Sequence, residues 1–336
     1  MATHDIIVIG ASAGGVEALT QFVRALPPDI PAAIFIVLHI APYSKSLLPN
    51  ILNRRCSLTT THAVDGEEIQ PGHIYIAPPD HHLLIKNGYI HLSRGPRENR
   101  HRPAVDPLFR SAARTYGPRV VGVVLSGTLD DGTAGLLAIK SRGGIAIVQN
   151  PEEALYDGMP RSAIDHAEVD HILPISEIVS LLVELARKPV PEQINPVNDN
   201  LAMEADMAEL DKNAVHSDQR PGEESPYSCP ECGGVLWELN QGNLLRFRCR
   251  TGHAYSPKSF LAEQSYSVEQ ALWSALRALK EQSNLVRRMA ERAKKQNHPL
   301  IGLRYEQQAQ EAEFHAETLR KLLLDGNKED EPLPEN

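Results

Sequence analysis

Aromatic side chains are scarce, at 5% of 336 residues. A chain this poor in rings does not build the stacking platforms that hold single-stranded RNA. Basic residues are not in excess either: 34 Lys and Arg stand against 43 Asp and Glu, for a formal charge of −9. Both features argue against a general binder of phosphate backbones, so no nucleic-acid partner is expected. No apolar run approaches the ~20 residues needed to span a bilayer, and no membrane insertion is expected. The N-terminal MATHDIIVIGASAGG lacks a basic leader and a small-residue cleavage site, so it reads as a first strand and not as a signal peptide. Four cysteines are too few for a disulfide framework. Three of them, Cys229, Cys232 and Cys249, fall in one short segment with metal-like spacing, which suits a reducing cytoplasm, while Cys56 reads as an ordinary semi-buried thiol.

What is present is an alternation of short apolar runs and amphipathic stretches over 1–188. The runs at 5–10, 32–40, 73–78, 120–127 and 144–149 are rich in Ile and Val and several are apolar nearly throughout. Strands of that kind are covered on both faces. Helical periods occupy 16–26, 105–116, 132–142 and 176–188. The order predicts an α/β fold, a doubly wound and mostly parallel sheet with helices on both faces. Asn87-Gly88 between apolar runs marks an inserted hairpin. A small Cys-rich module and a C-terminal helical hairpin follow. The predicted boundaries are a catalytic domain over 1–188, an acidic flexible linker over 189–226, the Cys-rich module over 227–256, the hairpin over 257–324 and a disordered tail over 325–336.

Gly10-Ala11-Ser12-Ala13-Gly14 fits G-x-S-x-G between a strand and a helix. Such a turn lifts a serine hydroxyl to the carboxyl edge of the sheet, where a helix N-terminus faces it. A glycine-rich phosphate loop or a purely structural turn would look similar, although G-x-G-x-x-G and the P-loop lysine are absent. A nucleophilic serine needs a base, and the base needs an orienting partner. His39 ends the second strand and Asp131 follows the VVGVVLSG strand, both at the same edge as Ser12. Separately, the histidine could be structural and the aspartate a helix cap. Their coincidence points to a Ser–His–Asp hydrolase.

IGASAGG, VLHIAP, PGHIYIAPPDHHL, NRHRPAVDPLF, GVVLSGTLDDGTAGL and QNPEEALYDGMPRSAI occur here in order. Over about residues 3–187 the chain thereby resembles the chemotaxis protein-glutamate methylesterase family, CheB. The resemblance implies Ser12 as nucleophile, His39 as base and Asp131, not Asp130, as the orienting acid. It implies hydrolysis of glutamate γ-methyl esters on the cytoplasmic domain of methylated chemoreceptors, in chemotaxis-type signal transduction, with deamidation of receptor glutamines as a second activity. No cofactor is implied for catalysis, and the expected location is cytoplasmic. Ala13, Thr128 and Asp130 stand where the family often has Thr, Met and Asn, which touches the oxyanion region; Ala13, Thr128 and Leu129 are the candidates there. Arg102 and Arg161 are candidates to meet an acidic receptor surface, with intradomain salt bridges as the alternative. Family members carry an N-terminal receiver domain. Here the first strand begins at residue 5, so no receiver is expected, and the activity is expected either to be constitutive or to be controlled by a partner or by the C-terminal half. A non-catalytic signalling scaffold, or a hydrolase of other esters, remains the alternative function.

Cys229-x2-Cys232 and Cys249-x3-His253, sixteen residues apart, have the spacing of a Cys3His zinc ribbon. A structural zinc would explain how so short a segment folds; incidental buried thiols in a β-hairpin are the alternative. Arg246, Arg248 and Arg250 fall on one face of a strand, a pattern that suits nucleic-acid contact, but the acidic surroundings favour a protein partner for this module. The hairpin beyond is a candidate to dimerise, to dock a partner or to pack on the catalytic domain.

Overall fold

The first strand is buried at all six positions, Ile6–Ala11. Strand side chains alternate between faces, so this burial requires cover on both sides. Ile7, Ile9 and Ala11 pack with Leu19, Phe22, Ile178 and Leu182 in one core. Ile6 and Val8 pack with Phe35, Leu108, Phe109 and Leu136 in the other. The three-layer α/β arrangement expected from the sequence is what forms.

The computed structural model describes residues 2–190, 199–209 and 222–325. The first part runs β1 (Ile6–Ala11), α1 (Gly15–Ala25), β2 (Ala33–Leu38), α2 (Leu48–Asn53), β3 (Thr59–His62), β4 (His73–Ile76), β5 (His82–Lys86) and β6 (Tyr89–Ser93). Then come α3 (Val105–Tyr116), β7 (Val120–Val124), α4 (Thr133–Ser141), β8 (Ile145–Gln149), α5 (Gly158–His166), β9 (His171–Leu173), α6 (Ile175–Leu185) and α7 (Asp199–Ala208). The last part is β10 (Glu223–Ser228), β11 (Val235–Gln241), β12 (Leu244–Cys249), β13 (Ala254–Tyr255), α8 (Pro257–Lys295) and α9 (Pro299–Asp325).

Seven strands form a parallel sheet in the order β3-β4-β2-β1-β7-β8-β9. The order runs outward from β1 in both directions. Its switch point therefore lies at the carboxyl ends of β1 and β7, where such sheets place their sites. The hairpin β5–β6 turns at Asn87-Gly88 as expected.

Some elements were not legible in the sequence. The edge strand β3 reads TTTH, without an apolar run, and β9 has three residues. Helix α5 opens with Gly158, Met159 and Pro160, which read as a loop. The largest correction falls on the predicted linker. Within 189–226, α7 packs with Leu201, Ala205, Met207 and Ala208 buried, and β10 starts at Glu223. Buried Glu204 explains the misreading. It pairs with Arg246 at 2.9 Å and Arg248 at 3.3 Å, so a carboxylate that local composition reads as solvated is neutralised by residues far along the chain. The rest of that linker, 191–198 and 210–221, and the tail from 326 lie outside the described residues.

The chain divides into two compact units, Met1–Phe260 and Leu261–Asn336. The first holds the parallel sheet and the antiparallel sheet β10-β11-β12-β13. The second is the expected hairpin of α8 and α9, with Leu276, Ala316 and Leu323 at its core. Ser283, fully buried, donates to the Ala309 carbonyl at 3.1 Å. Helix α8 begins at Pro257, the expected boundary, and Ser256 and Ser259 cap it reciprocally, Ser256 N to Ser259 Oγ at 2.9 Å and Ser259 N to Ser256 Oγ at 3.0 Å.

Candidate functional site

The β1–α1 turn is as tight as its glycines allow. A Cβ on Gly10 would stand 2.3 Å from Val105 Cγ1, so the N-terminus of α3 sits against this strand only because Gly10 has no side chain. Gly14 has φ 71°, the left-handed region, and leads into α1. The β1–β2 register pairs Ala11 with Leu38. Ser12 and His39 are the next residues of those strands and leave the sheet side by side; His39 N still donates to Ala11 O at 3.1 Å. Ser12 N donates to Ser126 O, just past β7, at 2.9 Å.

His39 Nε2 and Asp131 Oδ2 are 2.7 Å apart, with side chains 5% and 2% exposed. Asp131 Oδ2 also accepts from Val105 N at 2.7 Å. Its Oδ1 accepts from Asp106 N at 3.1 Å, Gly132 N at 3.0 Å and Asn99 Nδ2 at 3.0 Å. Burial opposes a charge here, but the His39 bond, the nearby imidazole and these N–H donors hold the Asp131 carboxyl far below its usual range. His39 Nδ1 is buried with no hydrogen-bond partner among the described residues. It is the ring nitrogen that Asp131 leaves uncommitted. Ser12 and His39 line one cleft of about 300 Å³ with Ile40, Ala41, Pro42, Arg97, Arg100, His101 and Arg102.

Three further residues surround His39 and Asp131, and nothing local in the sequence marks them. His101 stacks on His39 with ring centroids 3.7 Å apart. Burial and the neighbouring imidazole push its pKa down to about 3, so it covers the His39 ring as a neutral one. Asp106 accepts from Gly132 N and Gly135 N at 3.0 and 2.7 Å. Burial and the Asp131 charge push its carboxyl up to about 7. Asn99 bridges Asp106 and Asp131. All three lie in the segment NRHRPAVDPLF, the same one that holds Arg102.

The remaining candidates separate. Arg102 lines the Ser12 cleft, but its guanidinium is bound to Asp80 Oδ1 at 2.9 and 2.5 Å. Arg161 is outside that lining, on α5, exposed and paired with Asp157 and Glu152. The salt-bridge alternative describes it. Ala13 follows Ser12 at the head of α1, and its carbonyl accepts from Ser126 Oγ at 2.8 Å. Thr128 and Leu129 line an adjoining cleft with Ala154, Leu155, Tyr156, Asp157 and Gly158, not the one lined by Ser12.

In the antiparallel sheet, the ligand atoms of Cys229, Cys232, Cys249 and His253 all lie within 4.8 Å of one another. Cys232 Sγ and Cys249 Sγ are 3.7 Å apart, and His253 Nδ1 stands 3.7 Å from Cys229 Sγ and 3.5 Å from Cys249 Sγ. Metal–sulfur bonds of ~2.3 Å in a tetrahedron give sulfur–sulfur edges of ~3.8 Å, so the donors fit one ion. His253 Nε2 meets Glu231 Oε2 at 3.2 Å, the outer carboxylate that orients a ligating imidazole. Arg246 and Arg248 are not a docking face: both are buried against Glu204, and Arg248 also bonds Glu98 at 3.0 Å.

A sequence profile described as CheB methylesterase matches residues 7–182. The chain belongs to the CheB methylesterase family. A relative from Leptospira interrogans is 40% identical over 183 residues, 54% of this chain and 95% of that protein. The protein-glutamate methylesterase/protein-glutamine glutaminase 1 of Geobacter metallireducens is 42% identical over 180 residues, 52% of this chain and 49% of that protein. The crystal structure of the Thermotoga maritima CheB methylesterase catalytic domain superposes with TM-score 0.52 at 38% identity, covering 54% of this chain and 98% of that one. The Cys3His cluster, α7 and the helical hairpin lie outside the CheB-matched residues.

Proposed function

We propose that this chain is a protein-glutamate methylesterase that hydrolyses glutamate γ-methyl esters on the cytoplasmic helices of chemoreceptors, and deamidates receptor glutamines at the same site. The observation that carries the reading is the buried Asp131–His39 pair beside Ser12 at the switch point of a CheB domain. Ser12 Oγ attacks the ester carbonyl while His39 takes the hydroxyl proton. With Nε2 engaged by Asp131, the accepting atom is Nδ1. Asp131 holds the ring and stabilises the imidazolium. The tetrahedral intermediate expels methoxide, which leaves as methanol with the proton from His39. Water, losing a proton to His39, cleaves the acyl-enzyme and leaves the glutamate carboxylate. With glutamine the leaving group is ammonia. The backbone N–H of Ala13, next to Ser12 at the head of α1, is assigned to the oxyanion.

The cleft lining includes Arg97 and Arg100, both half-buried. A helix bearing Glu side chains complements it in charge. Replacing Arg97 with Glu should raise KM about fivefold while kcat falls less than twofold, read from initial-rate curves. No helix of the described residues is long and apolar enough to cross a membrane; the enzyme is assigned to the cytoplasm, where the receptor helices lie.

The test is direct. The purified protein should release methanol from a helical peptide carrying a glutamate γ-methyl ester. Release of neither methanol from that peptide nor ammonia from its glutamine counterpart would overturn the function.

We assign the Cys3His cluster to a structural zinc, since four ligands saturate the ion and leave no position for substrate. Purified protein should carry about one equivalent of zinc, and chelation should lower the melting temperature by roughly 5 °C or more. Under about a tenth of an equivalent, with no uptake on refolding with zinc, would remove the assignment.

A further inference from the structure

Asn99 ties the catalytic carboxylate to the end of the Cys3His segment. Its Nδ2 donates to Asp131 Oδ1 and Asp106 Oδ2, each at 3.0 Å. Its Oδ1 accepts from Ser256 N and Ser259 Oγ, each at 3.1 Å. This sets the amide's orientation, because a flipped side chain would turn its oxygen onto two carboxyl groups and its NH2 onto two donors. The backbone is committed as well: Asn99 N donates to Ala254 O at 2.8 Å. Its φ of 48° lies in the left-handed region that Asn tolerates better than most residues. Ser256 Oγ donates to Asp130 Oδ1 at 2.6 Å, beside Asp131. Asn99, Ser256, Ser259, Asp130 and Asp131 are all buried. Ser256 stands three residues after His253, so the strand that leaves the ligand cluster ends on this network.

We propose that Asn99 is a positioning residue for Asp131, and that Ala254–Ser259 hold it in place, making the Cys3His segment a working part of the hydrolase. The inference rests on the reading of Asp131 as the orienting acid. Asp131 receives backbone N–H groups from the α3 and α4 ends of its own domain. Asn99 adds a side-chain donor whose other end is anchored outside the CheB-matched residues. Its amide stops the carboxylate from turning away from His39.

The experiment replaces Ser256 and Ser259 together with Ala in the full chain. It is made in the parent and in an Asp131→Asn background, and methanol release from the esterified peptide is followed. In the parent, kcat should fall about tenfold with KM within twofold. In the Asp131→Asn background the same pair should change kcat less than twofold, since the residue it acts through is already disabled. A merely structural role would lower both backgrounds alike. Equal losses, or parental kcat in a variant that keeps the parental melting temperature, would overturn the inference. Should the double variant fail to fold, Ser259→Ala alone carries the same test at about a threefold loss, with Ser259→Thr restoring at least half the rate. A separate result marks failure of the underlying reading: if Asp131→Asn itself leaves kcat unchanged, the triad assignment goes, and this inference with it.

Discussion

Ser12→Ala abolishes methanol release, and Asp131→Asn lowers kcat about four orders of magnitude without unfolding the protein; these are the expected results, by the size of such losses in other Ser–His–Asp enzymes. The serine variant removes the only atom assigned to form the acyl bond. The aspartate variant is more informative, because the geometry dictates how an amide would sit. Oδ1 of Asp131 takes three N–H donors, from Asn99, Asp106 and Gly132. An amide at 131 keeps its oxygen there and, at the cost of the acceptor that Oδ2 gives Val105 N, turns its NH2 toward His39 Nε2. That nitrogen must then present its lone pair, and the ring proton moves to Nδ1. Nδ1 is the atom that has to receive the Ser12 proton, so the base is blocked by its own tautomer. Steady-state kinetics together with a circular-dichroism melt separate this from unfolding. An Asp131→Asn enzyme with parental kcat would remove Asp131 from the mechanism.

Glu204→Gln should destabilise the first unit by about 3–5 kcal/mol, the range seen when one partner of a buried ion pair is removed. Glu98 and Glu204 sit among Arg110, Arg246 and Arg248, all buried. Taking one carboxylate away leaves guanidinium groups with too little negative charge and no water. The same cluster predicts acid sensitivity. Burial alone would raise the Glu204 pKa, but Arg246, Arg248 and Arg110 bring it down to about 2, from an ordinary 4.5. A carboxylate depressed on folding contributes stability that is whole above its unfolded pKa and is lost as pH falls through its folded one. Stability should therefore decline between about pH 4.5 and 2, and Glu204→Gln should flatten that decline. Urea midpoints at pH 7 and pH 3 for both proteins check it. An unchanged midpoint at pH 7 would show that the cluster contributes nothing net.

The catalytic domain was legible because its signals are local. Runs such as IIVIG and AIFIVL are buried on both faces, and a parallel sheet is the arrangement that buries them. The carboxyl ends of those runs then brought Ser12, His39 and Asp131 to one edge. Illegible were the contacts whose partners are far apart in sequence. Glu204 looked solvated because Arg246 and Arg248 are about forty residues away. Asn99 carries no local signal because its partners come from residues 106, 131, 254, 256 and 259. Arg248 looked like surface from its strand alternation, yet it is 1% exposed. Composition reports the average environment of a residue type; these side chains are exceptions that a distant charge makes affordable.

A fragment ending at Lys188 would hold all of residues 7–182, which match the family, and would still be missing pieces. Glu98 and Arg110 lie inside such a fragment, while Glu204, Arg246 and Arg248 lie beyond the cut. Excision would bare two opposite charges made for a dry interior and open the Asn99 carbonyl to solvent. Homology therefore marks a different seam from the one along which this protein can be divided, and a trimmed version for assay or crystallisation should run at least through the first turns of the helix that follows Ser256.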